Sequence, residues 1–259
     1  MNSSQVNPTP RRILLTVAKF MRLFGLTQTT QLLLSHAKID CCNDEPATTL
    51  TAIETEGEKL ARYLLGEDFL LPEDVSKIYD FHYSDEQRRV LAMSVPDFQS
   101  LQWLRSRGYM LIAPPPIDYC LHQFRNLTNQ PRYRRREEWI ARPPQRFFKN
   151  DVVRAGTWLM IRKKPYTGSQ QKTWRFQKTF LAKEEYIPNA IEVVYAFTSY
   201  HKVRGVCRLY GIYVRTSSVD EDGRHVIVGD NQADGVSVCE FRDDEYENYV
   251  GALSARNTS

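Results

Sequence analysis

Two short stretches near the C-terminal end of the sequence are built alike. Asp222-Gly223 leads into Val226-Ile227-Val228, and twelve residues on Asp234-Gly235 leads into Val236-Ser237-Val238. Valines at period two share one face of an extended chain, and Asp-Gly supports the positive φ of a tight hairpin turn. This part of the chain is therefore committed to antiparallel strands joined by short turns. His225 and Ile227 alternate with Val226 and Val228, and Ser237 and Cys239 alternate with Val236 and Val238. A monotonous valine face beneath a chemically mixed one describes a binding surface on a rigid scaffold. An ordinary solvated strand face alternates in the same way.

Upstream the periodicity is helical. Residues 35–50, with Cys41-Cys42-Asn43-Asp44-Glu45-Pro46, have no period and read as a linker, which sets a boundary near residue 50. Beyond it, Ile53, Leu60, Tyr63 and Leu64 share a helix face closed by Gly66. Pro72 starts a short helix through Tyr79, and Ser84 with Gln87 makes a capping box ahead of Arg88 to Met93. Ser94-Val95-Pro96-Asp97 opens a further helix, with Phe98, Leu101, Trp103 and Leu104 as its apolar positions and Gly108 at its end. Tyr109 to Ala113 reads as a short strand stopped by Pro114-Pro115-Pro116.

After Pro143-Pro144 the period moves toward two. Strands are expected at Thr157–Ile161, Glu192–Phe197, Gly211–Arg215, Val226–Val228 and Val236–Val238, with one helix among them at Lys178–Tyr186, ended by Pro188-Asn189. Helices first and strands later, without βαβ alternation, predict an α+β fold with an antiparallel sheet.

The chain has 259 residues, 42% of them apolar and 25% charged, enough to bury a core without help from metals or disulfides. Five cysteines, with only Cys41 and Cys42 adjacent, form no disulfide framework, so a reducing compartment is expected. Ile13 to Leu34 is interrupted by Lys19, Arg22, Gln28 and Gln31, too polar to span a bilayer, and no signal-peptidase pattern follows it. Ile13, Leu14, Val17, Phe20, Met21 and Phe24 fall at helical spacing beside basic residues, which suits a docking helix or a membrane-surface helix.

Charge is unevenly spread. Residues 125–178 hold fifteen Lys/Arg against three Asp/Glu, and residues 218–249 hold two Arg against ten acids. Blocks of opposite sign relieve each other's self-repulsion if the fold brings them together. Otherwise the basic block recruits an anionic partner. Arginines interleaved with aromatics from Tyr133 through Trp139, Phe147-Phe148, Trp158, Tyr166 and Trp174-Arg175-Phe176 make single-stranded nucleic acid the alternative ligand.

Catalytic and cofactor patterns are missing. The five histidines show no His-Glu-x-x-His spacing, and neither a phosphate-cradling glycine loop nor a nucleophile elbow occurs. Asp220-Glu221-Asp222 and Asp230 to Asp234 resemble calcium loops, but the bidentate acid an EF-hand requires is replaced by Asn231 and Phe241. Turn chemistry explains both.

From Val214-Arg215-Thr216-Ser217-Ser218-Val219-Asp220, through Asp222-Gly223, Val226-x-Val228-Gly229 and Ala233-Asp234-Gly235-Val236-x-Val238, to Gly251-Ala252-Leu253-Ser254-Ala255-Arg256, the chain resembles the variable proteins of diversity-generating retroelements. The resemblance is clearest over the last 55 residues or so and extends loosely back to Trp158. It implies a C-type-lectin-like domain over 131–259, of the formylglycine-generating-enzyme type, with a variable region at about 205–256. Residues 51–130 are then a mainly helical portion packing on it, and 1–50 an extension.

The implied function is a non-enzymatic, ligand-binding one, toward a protein or cell-surface ligand, with no catalytic residue, metal or cofactor. Its exposed positions are rewritten by reverse transcription. The candidates are Cys207, Arg208, Leu209 and Tyr210; Arg224, His225 and Ile227; Asp230, Asn231 and Gln232; and Cys239, Glu240, Phe241, Arg242, Asp243, Tyr246 and Tyr249. Asparagine codons altered at adenines yield most of these residue types. Tyr210, Phe241, Arg242 and Tyr246 are the expected energetic anchors, because aromatic and Arg side chains dominate hot spots. A formylglycine-generating-type oxidase would instead need Cys207 and Cys239 to act as a reactive pair.

Overall fold

The computed structural model describes residues 54–128, 132–133, 146–232 and 235–257. The expected N-terminal helix and linker, and the arginine run 134–136, lie outside the described residues. Helices begin where local capping dictates. Helix α1 (Glu56–Leu65) opens on a reciprocal Thr55–Glu58 cap and closes at Gly66, with Leu60, Ala61, Leu64 and Leu65 buried. Tyr63, expected on the apolar face, is exposed. A 3-10 turn (Gly66–Asp68) leads to strand β1 (Phe69–Leu70).

Pro72 starts α2 (Pro72–Tyr79), and Ser84 and Gln87 cap α3 (Asp85–Met93) as expected. The Asp97 side chain accepts from the Ser100 amide at 2.8 Å to open α4 (Phe98–Arg107), and Gly108 ends it. There follow β2 (Tyr109–Ile112), β3 (Tyr119–Cys120), α5 (Leu121–Thr128), β4 (Arg132–Tyr133), α6 (Arg146–Asn150), β5 (Val152–Val153) and β6 (Leu159–Arg162).

Two expectations are reversed next. Lys178–Tyr186, read as a helix, is a 3-10 turn (Lys178–Phe180) after the short α7 (Trp174–Gln177), and it ends in strand β7 (Glu185–Tyr186). Glu192–Phe197, read as a strand, lies inside α8 (Ala190–Arg204). Asn189 and Glu192 cap this helix reciprocally at 2.9 and 2.8 Å. Every residue from Ala190 to Tyr200 except Glu192 is buried, so the helix is apolar on all sides and carries no visible period. Burial of each large side chain is worth about 1.5–3 kcal/mol, which outweighs the roughly 0.5 kcal/mol per residue by which Val and Ile disfavour helix.

The remaining strands are β8 (Tyr213–Val219), β9 (His225–Gln232), β10 (Gly235–Phe241), β11 (Val250–Ala252) and β12 (Ala255–Arg256). One sheet has the order β1-β2-β6-β12-β7 and the other β11-β8-β9-β10-β4; β3 and β5 pair separately. The first sheet takes strands from both sides of residue 130, so the helical stretch and the strand-rich stretch share a core. Pairing is antiparallel except for β1 with β2, β11 with β8 and β10 with β4. The architecture is mixed α+β.

Helix α8 packs against β8, β9 and β10 and also against β6 of the other sheet. Val214, Val228 and Val238 are cross-strand neighbours with no exposed surface, and Val226 joins them on the same face. The Asp-Gly turn expected after β8 is present: Gly223 takes φ +78°, and its amide donates to the Asp220 carbonyl at 3.1 Å. Gly229 is needed for a different reason. A Cβ there would stand 2.1 Å from the Ile212 carbonyl oxygen and 2.5 Å from the Tyr213 Cα, and backbone cannot yield.

Candidate functional site

The second face of the β8-β9-β10 meander carries the mixed residues. Register puts Ile227 opposite both Arg215 and Cys239, and His225 opposite Phe241. Ile227 forms a buried cluster with Tyr213 and Val250, against which Cys239 and Phe241 pack half-buried. This face is therefore roofed, and the roof is chain residues 242–249 together with the 163–180 connection. Val250 and Gly251, which follow the roof, dock edge-on to β8.

Arg215 organises the roof. It has no exposed surface, and its guanidinium lies 4.8 Å from the centre of the Phe241 ring. Its two Nη atoms donate to the main-chain carbonyls of Arg242 at 2.9 Å, Asp243 at 3.3 Å and Glu245 at 2.6 Å. Burial pushes the guanidinium below its ordinary pKa range, opposed by the charges of Asp243, Glu245 and Asp244. The Trp174 amide donates to the Asp243 carbonyl, that of Gln171 to Glu247, and that of Tyr213 to Tyr249, at 2.7–3.1 Å. Seven bonds reach residues 242–249 through main-chain atoms of that segment: three from the Arg215 side chain, these three, and Val250 to Glu247 at 3.3 Å. The side chains of Arg242, Asp244, Glu245, Tyr246, Glu247, Asn248 and Tyr249 are exposed.

At the start of the roof, His225 Nδ1 lies 2.7 Å from Asp243 Oδ1, and the imidazole stacks on Trp174 with ring centres 3.9 Å apart. Arg242 pairs with Asp244 and Glu245 in solvent, where such pairs contribute little. Arg224 closes the β8–β9 turn by bonding Asp220, whose carboxylate also accepts from the Asp222 and Arg224 amides. These are the acids that resemble a calcium loop, and their oxygens are used to build the turn. Among the described residues no three His, Cys, Asp or Glu side chains converge on a common centre.

The other sequence-predicted residues collect at the far end of β9, about 23 Å along the strand from His225 to Gln232. Asp230 is buried, and its carboxylate accepts from the Gly211 amide at 3.3 Å. Leu209 is core. Arg208 is half-buried, stacked on Tyr200 at 4.7 Å and 3.6 Å from Asp68, which Lys163 also pairs with. Tyr210 is 70% exposed. Cys207 lies 3.7 Å from His201 Nε2, and burial raises its thiol pKa. Cys239 pairs with Ile227 in β9, and neither cysteine is in a disulfide. Of Asn231 and Gln232 only the strand backbone is described.

Leu209, Ile227 and Asp230 thus belong to the interior, not to a display face. Alternation along β9 sends Ile227 away from the valines as expected, but the roof covers that side too. Glu240 pairs with Val226 and so sits on the valine side; its Oε2 is buried with no hydrogen-bond partner among the described residues. Sequence reasoning missed Arg215 and Trp174 as the residues that hold the roof. A charge at the centre of Tyr213-Val214-Arg215-Thr216 was the available signal, because mid-strand arginine in a buried meander needs dedicated acceptors.

In the basic-aromatic segment, Trp158, Phe147 and Phe148 are core, so they offer no stacking platform. Phe176 is half exposed, with Lys172 5.2 Å above its ring.

No family model, curated protein or solved structure matches the chain.

Among the described residues no helix is long and apolar enough to cross a membrane. The roof also bridges the two groups of predicted residues. It leaves the sheet at Phe241, beside His225, and returns at Tyr249, whose ring centre is 6.0 Å from that of Tyr213 near Tyr210.

Proposed function

We propose that this chain is a ligand-binding protein that displays interchangeable side chains on a constant scaffold of C-type-lectin type, diversified by a retroelement. One observation carries the reading: residues 242–249 are held through their main chain by Arg215, Gln171, Trp174 and Tyr213. A loop restrained this way keeps its course whatever side chains it bears, which is what a display surface requires. The working surface is narrower than the sequence suggested. It comprises Tyr210, Arg242, Tyr246 and Tyr249 with the exposed acids between them, and it omits Leu209, Ile227 and Asp230. Aromatic and Arg side chains so placed are the groups that anchor protein interfaces.

The decisive test is genomic. A reverse-transcriptase gene should lie beside this one, with an imperfect copy of the DNA encoding residues 205–256 whose mismatches fall at adenines. Absence of both overturns the reading. A second test is biophysical: replacing Arg242, Tyr246 and Tyr249 together by alanine should leave the melting temperature within about 2–4 °C of the parent, as for surface changes worth roughly 1 kcal/mol in total.

A further inference from the structure

A second site lies apart from the roof. A cavity of about 390 Å³ opens where the β5–β6 connection, β7, the start of α8 and β12 meet, and of residues 205–249 only Ser217 lines it. Its size falls in the range of small-molecule pockets, roughly 300–1,000 Å³. Two carboxylates, Asp151 and Glu192, and two arginines, Arg154 and Arg256, line it, with Tyr186, Val153 and Leu159 among the other lining residues.

The charges form no direct pair with each other. Among the described residues none of the four makes an ion pair within 4 Å. Asp151 accepts from the Ser218 hydroxyl, and Glu192 accepts from the Tyr186 hydroxyl at 2.9 Å and the Asn189 amide at 2.8 Å. These are neutral donors that orient the carboxylates without neutralising them. Burial pushes both carboxyls above their ordinary range; on Glu192 the Asp151 charge adds to the push, while the Asn189 and Tyr186 hydrogen bonds and the Arg154 charge oppose it. Arg256 stacks on Trp103 at 4.4 Å, and Arg154 is exposed at the rim. One cavity thus holds a desolvated negative side and a positive side, none of whose four charges is closed into a direct ion pair among the described residues, although Arg154 acts on Glu192 and Arg256 on Asp97 at longer range.

We propose that this cavity binds a small zwitterion, an L-α-amino acid or its close analogue, with the ammonium on Asp151 and Glu192 and the carboxylate on Arg154 and Arg256. A ligand with one charge satisfies one pole and meets repulsion at the other; a zwitterion satisfies both. Tyr186, Val153 and Leu159 line the cavity beside the ligand's carbon skeleton. The proposal stands independently of the display function.

Isothermal titration of the full chain at pH 7 with each of the twenty common L-α-amino acids, up to about 10 mM, tests it. At least one should bind with Kd of about 1 mM or tighter. The corresponding amine and the corresponding α-hydroxy acid should each bind about tenfold more weakly or worse, the loss expected for one charge-assisted contact. Asp151→Asn and Arg154→Met should weaken binding by a similar factor while melting like the parent or higher. The proposal is overturned if no amino acid binds, if either analogue binds as well as the amino acid, or if both variants bind as the parent does.

Discussion

Replacing Arg215 by methionine isolates what holds residues 242–249 in place. Methionine keeps an unbranched apolar stem, and it removes the guanidinium with all three of its hydrogen bonds. A net hydrogen bond is worth about 1 kcal/mol. The contact to Asp243, at 3.3 Å, is weaker than those to Arg242 at 2.9 Å and Glu245 at 2.6 Å. Against this loss stands relief from burying a charge, which the lowered pKa of the guanidinium reveals. The carbonyls set free lie in an exposed segment where water reaches them. The balance is a destabilisation of about 2 kcal/mol, a fall of roughly 4–8 °C in melting temperature for a domain of this size. Thermal unfolding with hydrogen exchange is the assay. Exchange of the Trp174 and Gln171 amides should accelerate, because their acceptors are the carbonyls of Asp243 and Glu247. Tyr246→Ala should move stability by less than about 0.5 kcal/mol. If Arg215→Met costs no more than Tyr246→Ala and leaves both amides equally protected, the main-chain anchoring described above is wrong.

Further consequences follow from burial and close approach. Ile227→Ala should cost about 2–5 kcal/mol in chemical denaturation, because it empties the cluster shared with Tyr213 and Val250; a cost below 1 kcal/mol would return Ile227 to the display surface. Gly229→Ala should fail to give a cooperatively folding chain by circular dichroism, since its Cβ meets the backbone of Ile212 and Tyr213. Asp151→Asn should be more stable than the parent at neutral pH. Burial raises the Asp151 carboxyl in the folded state, so the parent loses stability as pH climbs through that value, and the advantage of the variant should vanish below about pH 4. An advantage that grows toward acid would contradict the sign.

What could be read in advance was local. Pro72 starts a helix through its fixed φ, and Ser84, Asp97 and Gly108 mark helix ends through bonds spanning three or four residues; neither needs knowledge of the rest of the chain. The valine alternation in β9 and β10 is equally short-range. Helix α8 was hidden because Ile191, Val193, Val194, Tyr195 and Phe197 are buried on every side, which erases the period that distinguishes helix from strand. Its one local helical signal is Asn189 with Glu192 three positions on, and Pro188-Asn189 serves equally as the end of a preceding helix, so the pair does not decide between the two. The first sheet was hidden because β1, β7 and β12 are two residues long and meet from distant parts of the chain. At the candidate site, Tyr210, Arg242, Tyr246 and Tyr249 are exposed as their types suggested. Ile227 and Asp230 are not, because what covers them comes from residues far away in sequence.

Strands β11 and β12 are separated by Leu253 and Ser254 alone, yet one joins each sheet. A single seven-residue seam thus laces both layers together, and it lies downstream of residues 242–249. Any product whose reading frame is lost before residue 250 lacks the lacing of both layers at once. Shortening the chain by its last ten residues should therefore loosen both sheets together and not one of them alone.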